Sequence, residues 1–149
     1  MGVEVLAAGS APLEGAAAVV EALQAAGIGV GATTGYNREM LEPVLRRVEA
    51  DGLRLPLVLA SDEVRRGRPG PELCWTAAAR LGASAGWACV NVGDTPVDME
   101  AGRRAGFWTV GVVESGSLMG LSAAGLAALA PGDRAARGAA VARRLLEAG

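Results

Sequence analysis

The chain contains no histidine and no lysine. The first absence excludes Ser-His-Asp and Cys-His catalysis and histidine metal ligation. The second excludes a lysine phosphate loop and any Schiff base formed by this chain, because all 14 basic residues are arginine. The two cysteines, Cys74 and Cys89, form no C-x-x-C pair and read as small buried thiols in a reducing compartment. Aromatics make up only 3% of the chain, with one Phe and one Tyr, so core area must come from Val, Leu, Ile and close helix packing. Trp75, Trp87 and Trp108 are expected as core or helix–sheet packing, and Met40, Met99 and Met119 likewise as packing residues. No run approaches the ~20 apolar residues of a membrane span. The longest uncharged stretch, 115–132, is broken by Ser, Gly and Pro131. The start "MGVEVLAAGSAP" carries Glu4 and no basic run, so no secretory leader is expected. A net charge of −2 gives no basic face for nucleic acid. The cytoplasm is the expected compartment.

What is present is a globular composition, 51% hydrophobic and 20% charged, over 149 residues, enough for one domain. Helical spacing marks 14–27, 37–52 (where Pro43 should kink the helix or trim its first turn), 71–82 and 96–106. A short helix is expected near 122–130 and a longer one near 134–148. Between them lie apolar runs at 28–33, 55–60, 87–92 and 107–113, read as strands. Strands alternating with helices predict βαβ units and an α/β fold built on a parallel sheet, with right-handed crossovers. Ligands in such sheets bind outside the carboxyl ends of the strands. Three segments fall there: "TTG" at 33–35, "SDEVRRGRP" at 61–69 and "GDTPVD" at 93–98.

Each segment has a chemical and a structural reading. Asp94 ends a strand and Asp98 lies one turn into the next helix; together they suit a hard cation such as Mg²⁺, or they cap that helix and offset its dipole. Thr33, Thr34 and Gly35 suit a phosphate at a helix start, or they are a cap and a turn. Arg68, between Gly67 and Pro69, offers a planar fork for phosphate oxygens, whereas Arg65 and Arg66 read as a solvated loop. Gly27, Gly29 and Ala32 spell G-x-G-x-x-A, but they precede or fill the strand and do not follow it, so the match is set aside.

In this order and spacing the run "GATTGYNREML…SDEVRRGRPGPELCW…VNVGDTPVDMEAGRRAGFWTVGVVESGSLMGLS" resembles the haloacid dehalogenase superfamily, and within it the phosphonoacetaldehyde hydrolases. The resemblance runs from about Ala11 to about Leu129. It implies a Rossmann-like parallel sheet with helices on both faces. It also implies Mg²⁺-dependent hydrolysis of phosphonoacetaldehyde to acetaldehyde and phosphate. By resemblance Thr34, with Thr33 and Gly35 beside it, binds the phosphoryl group. Arg68 takes the place of the family's basic third motif, Asp94 that of the Mg²⁺ ligand, and Asp98 that of the acid supporting the metal shell.

Two parts of the family pattern have no counterpart. The nucleophilic aspartate of D-x-x-G-T is absent: the five aspartates are Asp51, Asp62, Asp94, Asp98 and Asp133, and none precedes Gly-Thr. The cap lysine that forms an imine with the aldehyde is absent as well. The resemblance therefore implies a single partial core domain over 1–149: a lead-in at 1–13, a βαβ core at 14–113 and C-terminal helices at 114–149. The first-motif strand, expected between the strands before Thr34 and Asp94, and the cap are missing. Such a loss should leave both neighbouring strands with unpaired backbone groups and exposed apolar faces. "VEVLA" (3–7) could fill the slot, though the resemblance makes it a lead-in. The expectation is a phosphate and Mg²⁺ half-site without the reaction, with a small phosphonate or phosphate as ligand. Remaining readings are a generic phosphatase relative and a non-catalytic interaction domain, either a homodimer or one that takes the missing segment from another chain.

Overall fold

The computed structural model describes residues 11–149, so the segment 3–7 lies outside the described residues. Helix α1 (Ala16–Ala25) starts at Gly15 and is followed by Gly27, both at positive φ, and although mostly apolar it buries no residue. After strand β1 (Ala32–Thr33), helix α2 (Arg38–Ala50) is capped by Asn37, whose side chain accepts from the Met40 amide at 2.9 Å. Asp62 accepts from the Arg38 amide through both carboxylate oxygens. Pro43 lies inside α2 without ending it, and the helix begins ahead of it at Arg38. Strand β2 (Val58–Leu59) leads through a loop to α3 (Glu72–Arg80). Strand β3 (Val90–Gly93), helix α4 (Pro96–Ala105) and strand β4 (Trp108–Gly111) follow. Helices α5 (Ala123–Ala127) and α6 (Pro131–Ala148) complete the chain.

All strand pairings are parallel, as the alternation of elements requires. The strands are shorter than their apolar runs. Of 28–33 only Ala32–Thr33 pair. A Cβ on Gly31 would come within 3.3 Å of Leu57, and one on Gly29 within 3.3 Å of Leu81. Of 55–60 only Val58–Leu59 pair, just beyond Pro56, which has no N–H to donate.

Among the described residues the four strands do not form one sheet. β1 pairs with β2 (Ala32↔Val58, Thr33↔Leu59), and β3 with β4 (Val90↔Trp108 through Gly93↔Gly111). No ladder joins β1 to β3, so each keeps one edge free of the other. Behind β3–β4 the cover is close: a Cβ on Gly102 of α4 would lie 2.8 Å from Asn91 and from Thr109, and one on Gly111 would lie 2.9 Å from Leu145 of α6. Residues alternate along a strand, so Val90, Val92, Trp108 and Val110 point the other way. They are exposed at 59%, 62%, 68% and 47%.

This uncovered face corrects one expectation. Trp75, Trp87 and Trp108 are not core residues; they are 52%, 76% and 68% exposed. Their indole N–H groups are nonetheless used at the surface: Trp108 donates to the Trp87 carbonyl at 3.0 Å and Trp75 to the Ala105 carbonyl at 3.3 Å. The core is aliphatic and sulfur-rich instead. Met99, Met119, Val141 and Leu145 form its cluster, with Val113, Leu118, Leu126 and Ala148 packed around it. Leu59 and Leu73 are fully buried elsewhere. Met40 is only half-buried. Cys74 is buried but Cys89 only partly so, which corrects the reading of both as core thiols.

Adjacent residues of α6 test this packing. Leu145 is 3% exposed and Leu146 80%. In urea unfolding, Leu145→Ala should cost about 2–5 kcal/mol and Leu146→Ala under about 0.5 kcal/mol.

Candidate functional site

The carboxyl ends of β1, β2 and β3 bring the sequence-marked segments to one edge. At β1, the Thr34 amide donates to the Leu59 carbonyl at 3.0 Å, continuing the ladder by one residue. The Tyr36 amide donates to the Thr34 hydroxyl oxygen at 3.2 Å. That bond uses an acceptor site and leaves the Thr34 O–H free to donate to a ligand oxygen. Thr33 is half-buried inside β1, and Gly35 is exposed just beyond it.

Arg68 arrives from the loop after β2, and two acids hold this loop in shape. Glu63 accepts from the Ala60 amide at 2.9 Å and from Arg80 at 3.1 Å, and it also pairs with Arg38. Glu72 accepts from the amides of Arg65 and Arg66, both at 3.0 Å, and from the Arg66 side chain. The Ala60 amide, with Arg80 and Arg38, lowers the Glu63 pKa below the ordinary value, and the Arg66 amide and side chain do the same for Glu72. The Arg68–Pro69 peptide bond is cis.

Held in this way, the Arg68 guanidinium lies between the two strand pairs. A Cβ on Gly35 would come within 3.1 Å of its Nη2 atom, so only glycine leaves the fork undisturbed. Its Nη1 atom pairs with Asp98 Oδ1. Asp98 is 4% exposed, and its other oxygen, Oδ2, accepts from the Thr95 amide at 3.1 Å and the Thr95 hydroxyl at 2.5 Å. The Thr95 hydroxyl oxygen in turn faces the Asp98 amide, the reciprocal arrangement of a capping box. Gly93 at the end of β3 is required by this closeness: a Cβ there would fall 2.4 Å from that of Asp98. The Asn91 amide donates to the Asp98 carbonyl at 2.9 Å.

Asp94 stands apart from this pair. It is half-buried at the end of β3, and its Oδ2 accepts from the Ser117 amide at 2.6 Å. The loop after β4 can come that near because residue 116 is glycine; a Cβ would meet the Val112 carbonyl at 2.5 Å. Oδ1 of Asp94 accepts no hydrogen bond among the described residues. The structure thus joins Gly35, Arg68 and Asp98 directly, with Thr34 adjacent to Gly35, and places Asp94 at the neighbouring strand end. The capping reading of Asp98 describes its oxygens: both are engaged by Arg68 and Thr95. Among the described residues no three His, Cys, Asp or Glu side chains gather as a metal cluster.

Three residues escaped the sequence reading. Thr95, Asn91 and Ser117 all position the acids. Thr95 carried a signal, since T-x-x-D before an apolar run is a capping-box pattern. Ser117 carried none, because its contribution is a backbone N–H. A surface hollow of about 470 Å³ lies outside the loop against Asp62, Glu63, Arg65, Glu72 and Trp75, and none of Thr34, Arg68, Asp94 or Asp98 lines it. Its carboxylates suit no anion.

The family model for haloacid dehalogenase-like hydrolases matches residues 1–106. The chain belongs to that family. It is 39% identical over 146 residues to phosphonoacetaldehyde hydrolase of Nitratidesulfovibrio vulgaris, covering 98% of this chain and 52% of that protein. It is 41% identical over 122 residues to phosphonoacetaldehyde hydrolase of Bordetella pertussis, covering 82% and 44%. A crystal structure of a phosphonoacetaldehyde hydrolase-like protein from Oleispira antarctica superposes with a TM-score of 0.95 at 33% identity, over 99% of this chain and 53% of that one. The chain spans about half the length of the curated relatives it matches. The fold of this haloacid dehalogenase-like chain is the one its motifs implied.

Two measurements probe the site. Arg68→Ala strands the Asp98 carboxylate in a buried position and should cost about 3 kcal/mol of stability. Arg68→Ala with Asp98→Asn should cost less than the two single changes summed, as a double-mutant cycle in urea will show. The second concerns acid. The Glu63 pKa is lowered on folding, so its contribution is fully present above the ordinary value of 4.5 and is lost as pH falls through the lower folded value. Glu63→Gln should therefore be less stable than the parent at pH 7, and the gap should close in acid.

Proposed function

We propose that this chain is the phosphate- and Mg²⁺-binding half of a phosphonoacetaldehyde hydrolase. The observation that carries the reading is Arg68, fixed by the buried Asp98 and laid against Gly35, the residue after Thr34. The residues fit an oxyanion ligand. A planar guanidinium with donors to spare and a hydroxyl with a free proton converge on one strand edge. Similarity to proteins named phosphonoacetaldehyde hydrolase supports a phosphonate, or the phosphate released from it, as that anion.

The donor set also fits one half of a Mg²⁺ shell. Mg²⁺ takes hard oxygen ligands, retains water and needs few carboxylates from the protein. Asp94 would hold it through Oδ1, with Oδ2 fixed by the Ser117 amide. When bound, the cation supplies positive charge against a transferring phosphoryl group. Asp98 acts through Arg68: it keeps the guanidinium aimed. Thr34 and Arg68 bind and orient the anion.

Hydrolysis itself needs a nucleophile and an electron sink for the C–P bond. The sequence contains neither D-x-x-G-T nor a lysine. The chain by itself therefore binds and does not turn over, and it works in the cytoplasm on a small anion.

Isothermal titration of the purified chain with inorganic phosphate and Mg²⁺ tests this. Binding is expected to weaken at least tenfold in Arg68→Met for phosphate and in Asp94→Asn for Mg²⁺. Acetaldehyde release from phosphonoacetaldehyde should be at background. Robust release that disappears in Asp94→Ala would overturn the reading.

A further inference from the structure

We infer that Glu72 is a positioning residue of the anion site: by holding the backbone of the loop just before Arg68, it sets the direction of a guanidinium to which it is not itself bonded. The inference rests on the reading that Arg68 and Thr34 bind an oxyanion. Glu72 opens α3, where an acid ordinarily serves the helix dipole. Its oxygens turn to the loop instead. Oε2 accepts from two successive amides, those of Arg65 and Arg66, both at 3.0 Å, and Oε1 accepts from Arg66 Nε at 3.0 Å. The Arg66 amide and side chain lower the Glu72 pKa, so at neutral pH the anchor is a full carboxylate. Arg66 is drawn to Glu72, while Arg68 reaches Asp98 and Gly35.

Only Gly67 separates the anchored Arg66 from Arg68. The chain then turns at once. The Gly70 amide donates to the Gly67 carbonyl at 2.9 Å, and a Cβ on Gly70 would lie 2.9 Å from that oxygen and 3.3 Å from the Arg66 carbonyl. Past the turn, Arg104 of α4 donates to the Pro69 carbonyl at 3.4 Å. Asp98 holds the Arg68 fork through Nη1. A bond at one nitrogen fixes where the guanidinium sits but lets its plane swing, and the plane is set by where the side chain leaves the backbone. A fork binds an oxyanion best through two parallel N–H groups, so its plane decides affinity. With Glu72 removed, the pair with Asp98 persists and the fork turns off the anion. Charge alone predicts the opposite. Glu72 puts a negative charge on the loop that carries the site's arginine, so its loss would strengthen phosphate binding if Coulomb attraction decided. Positioning requires weaker binding, and the sign of one change separates the two.

Isothermal titration of the whole chain with inorganic phosphate, and separately with Mg²⁺, provides the test. Glu72→Ala should raise the phosphate dissociation constant about tenfold, and Glu72→Gln by less, because its remaining oxygen still accepts from the loop amides. The Mg²⁺ constant, which depends on Asp94, should not move. In an Arg68→Met background, Glu72→Ala should have no further effect on phosphate, as expected of a residue that acts through Arg68. Phosphate binding that is unchanged or tighter in both variants overturns the proposal. So does an equal loss for Mg²⁺, which marks a merely structural residue. If Glu72→Ala does not fold, Glu72→Gln carries the test. If the parent chain binds no phosphate, the anion-site reading falls, and the hold of Glu72 on Arg68 is decided by ¹H–¹⁵N spectra of the arginine guanidinium groups. The Arg68 signals are those lost in Arg68→Met. Separate Nη signals in the parent that merge in Glu72→Gln support the positioning; identical signals in the two chains overturn it.

Discussion

A guanidinium from the loop after β2 and a buried carboxylate from α4 meet between two strand pairs that share no hydrogen-bond ladder. The ion pair of Arg68 and Asp98 joins the loop after β2 to the first turn of α4 across that gap. Such a pair must be well satisfied, because a charge taken out of water is costly to leave alone. Asp98 meets that condition with both oxygens engaged, by Arg68 on one side and Thr95 on the other. Arg68 meets it through a loop whose backbone amides are held by Glu72 and whose entry is held by Glu63. The glycines around the pair follow from it: Gly93 marks where Asp98 comes too near for any Cβ, and at Gly35 a Cβ would press on the guanidinium at 3.1 Å.

The atoms proposed to bind the anion are also those that hold this edge together. The arginine that would receive an anion also spans the gap, and the acid that aims it also starts α4. Asp94 differs. Its carboxylate is steadied by one amide from a loop that approaches only because residue 116 is glycine. It is free to change partners without disturbing the link between the strand pairs.

Much of this was legible in the sequence. Helix positions followed from apolar spacing and from glycines at the ends, and α4 runs over Pro96–Ala105 where 96–106 was expected. The parallel sense of the pairs followed from alternation. The chemistry-bearing residues fell at strand ends, where the general rule for parallel sheets put them. Strand lengths were not legible, because an apolar run such as 28–33 does not reveal which of its residues find a partner strand. The tryptophans were misjudged for a related reason. Burial was inferred from residue type, yet exposure depends on whether an element exists to cover the strand, and nothing in "FWTVGVV" reports that. Ser117 was invisible because a backbone amide has no letter of its own.

The placement of the three indoles has a spectroscopic consequence. Tryptophan emission ordinarily tracks unfolding because buried rings become wet. In this chain all three rings are already half wet or more in the folded monomer, while the core of Met99, Met119, Val141 and Leu145 carries no fluorophore. Intrinsic fluorescence will thus change little as the core melts. It will report instead on the surface where the rings sit, which makes it a poor gauge of core melting.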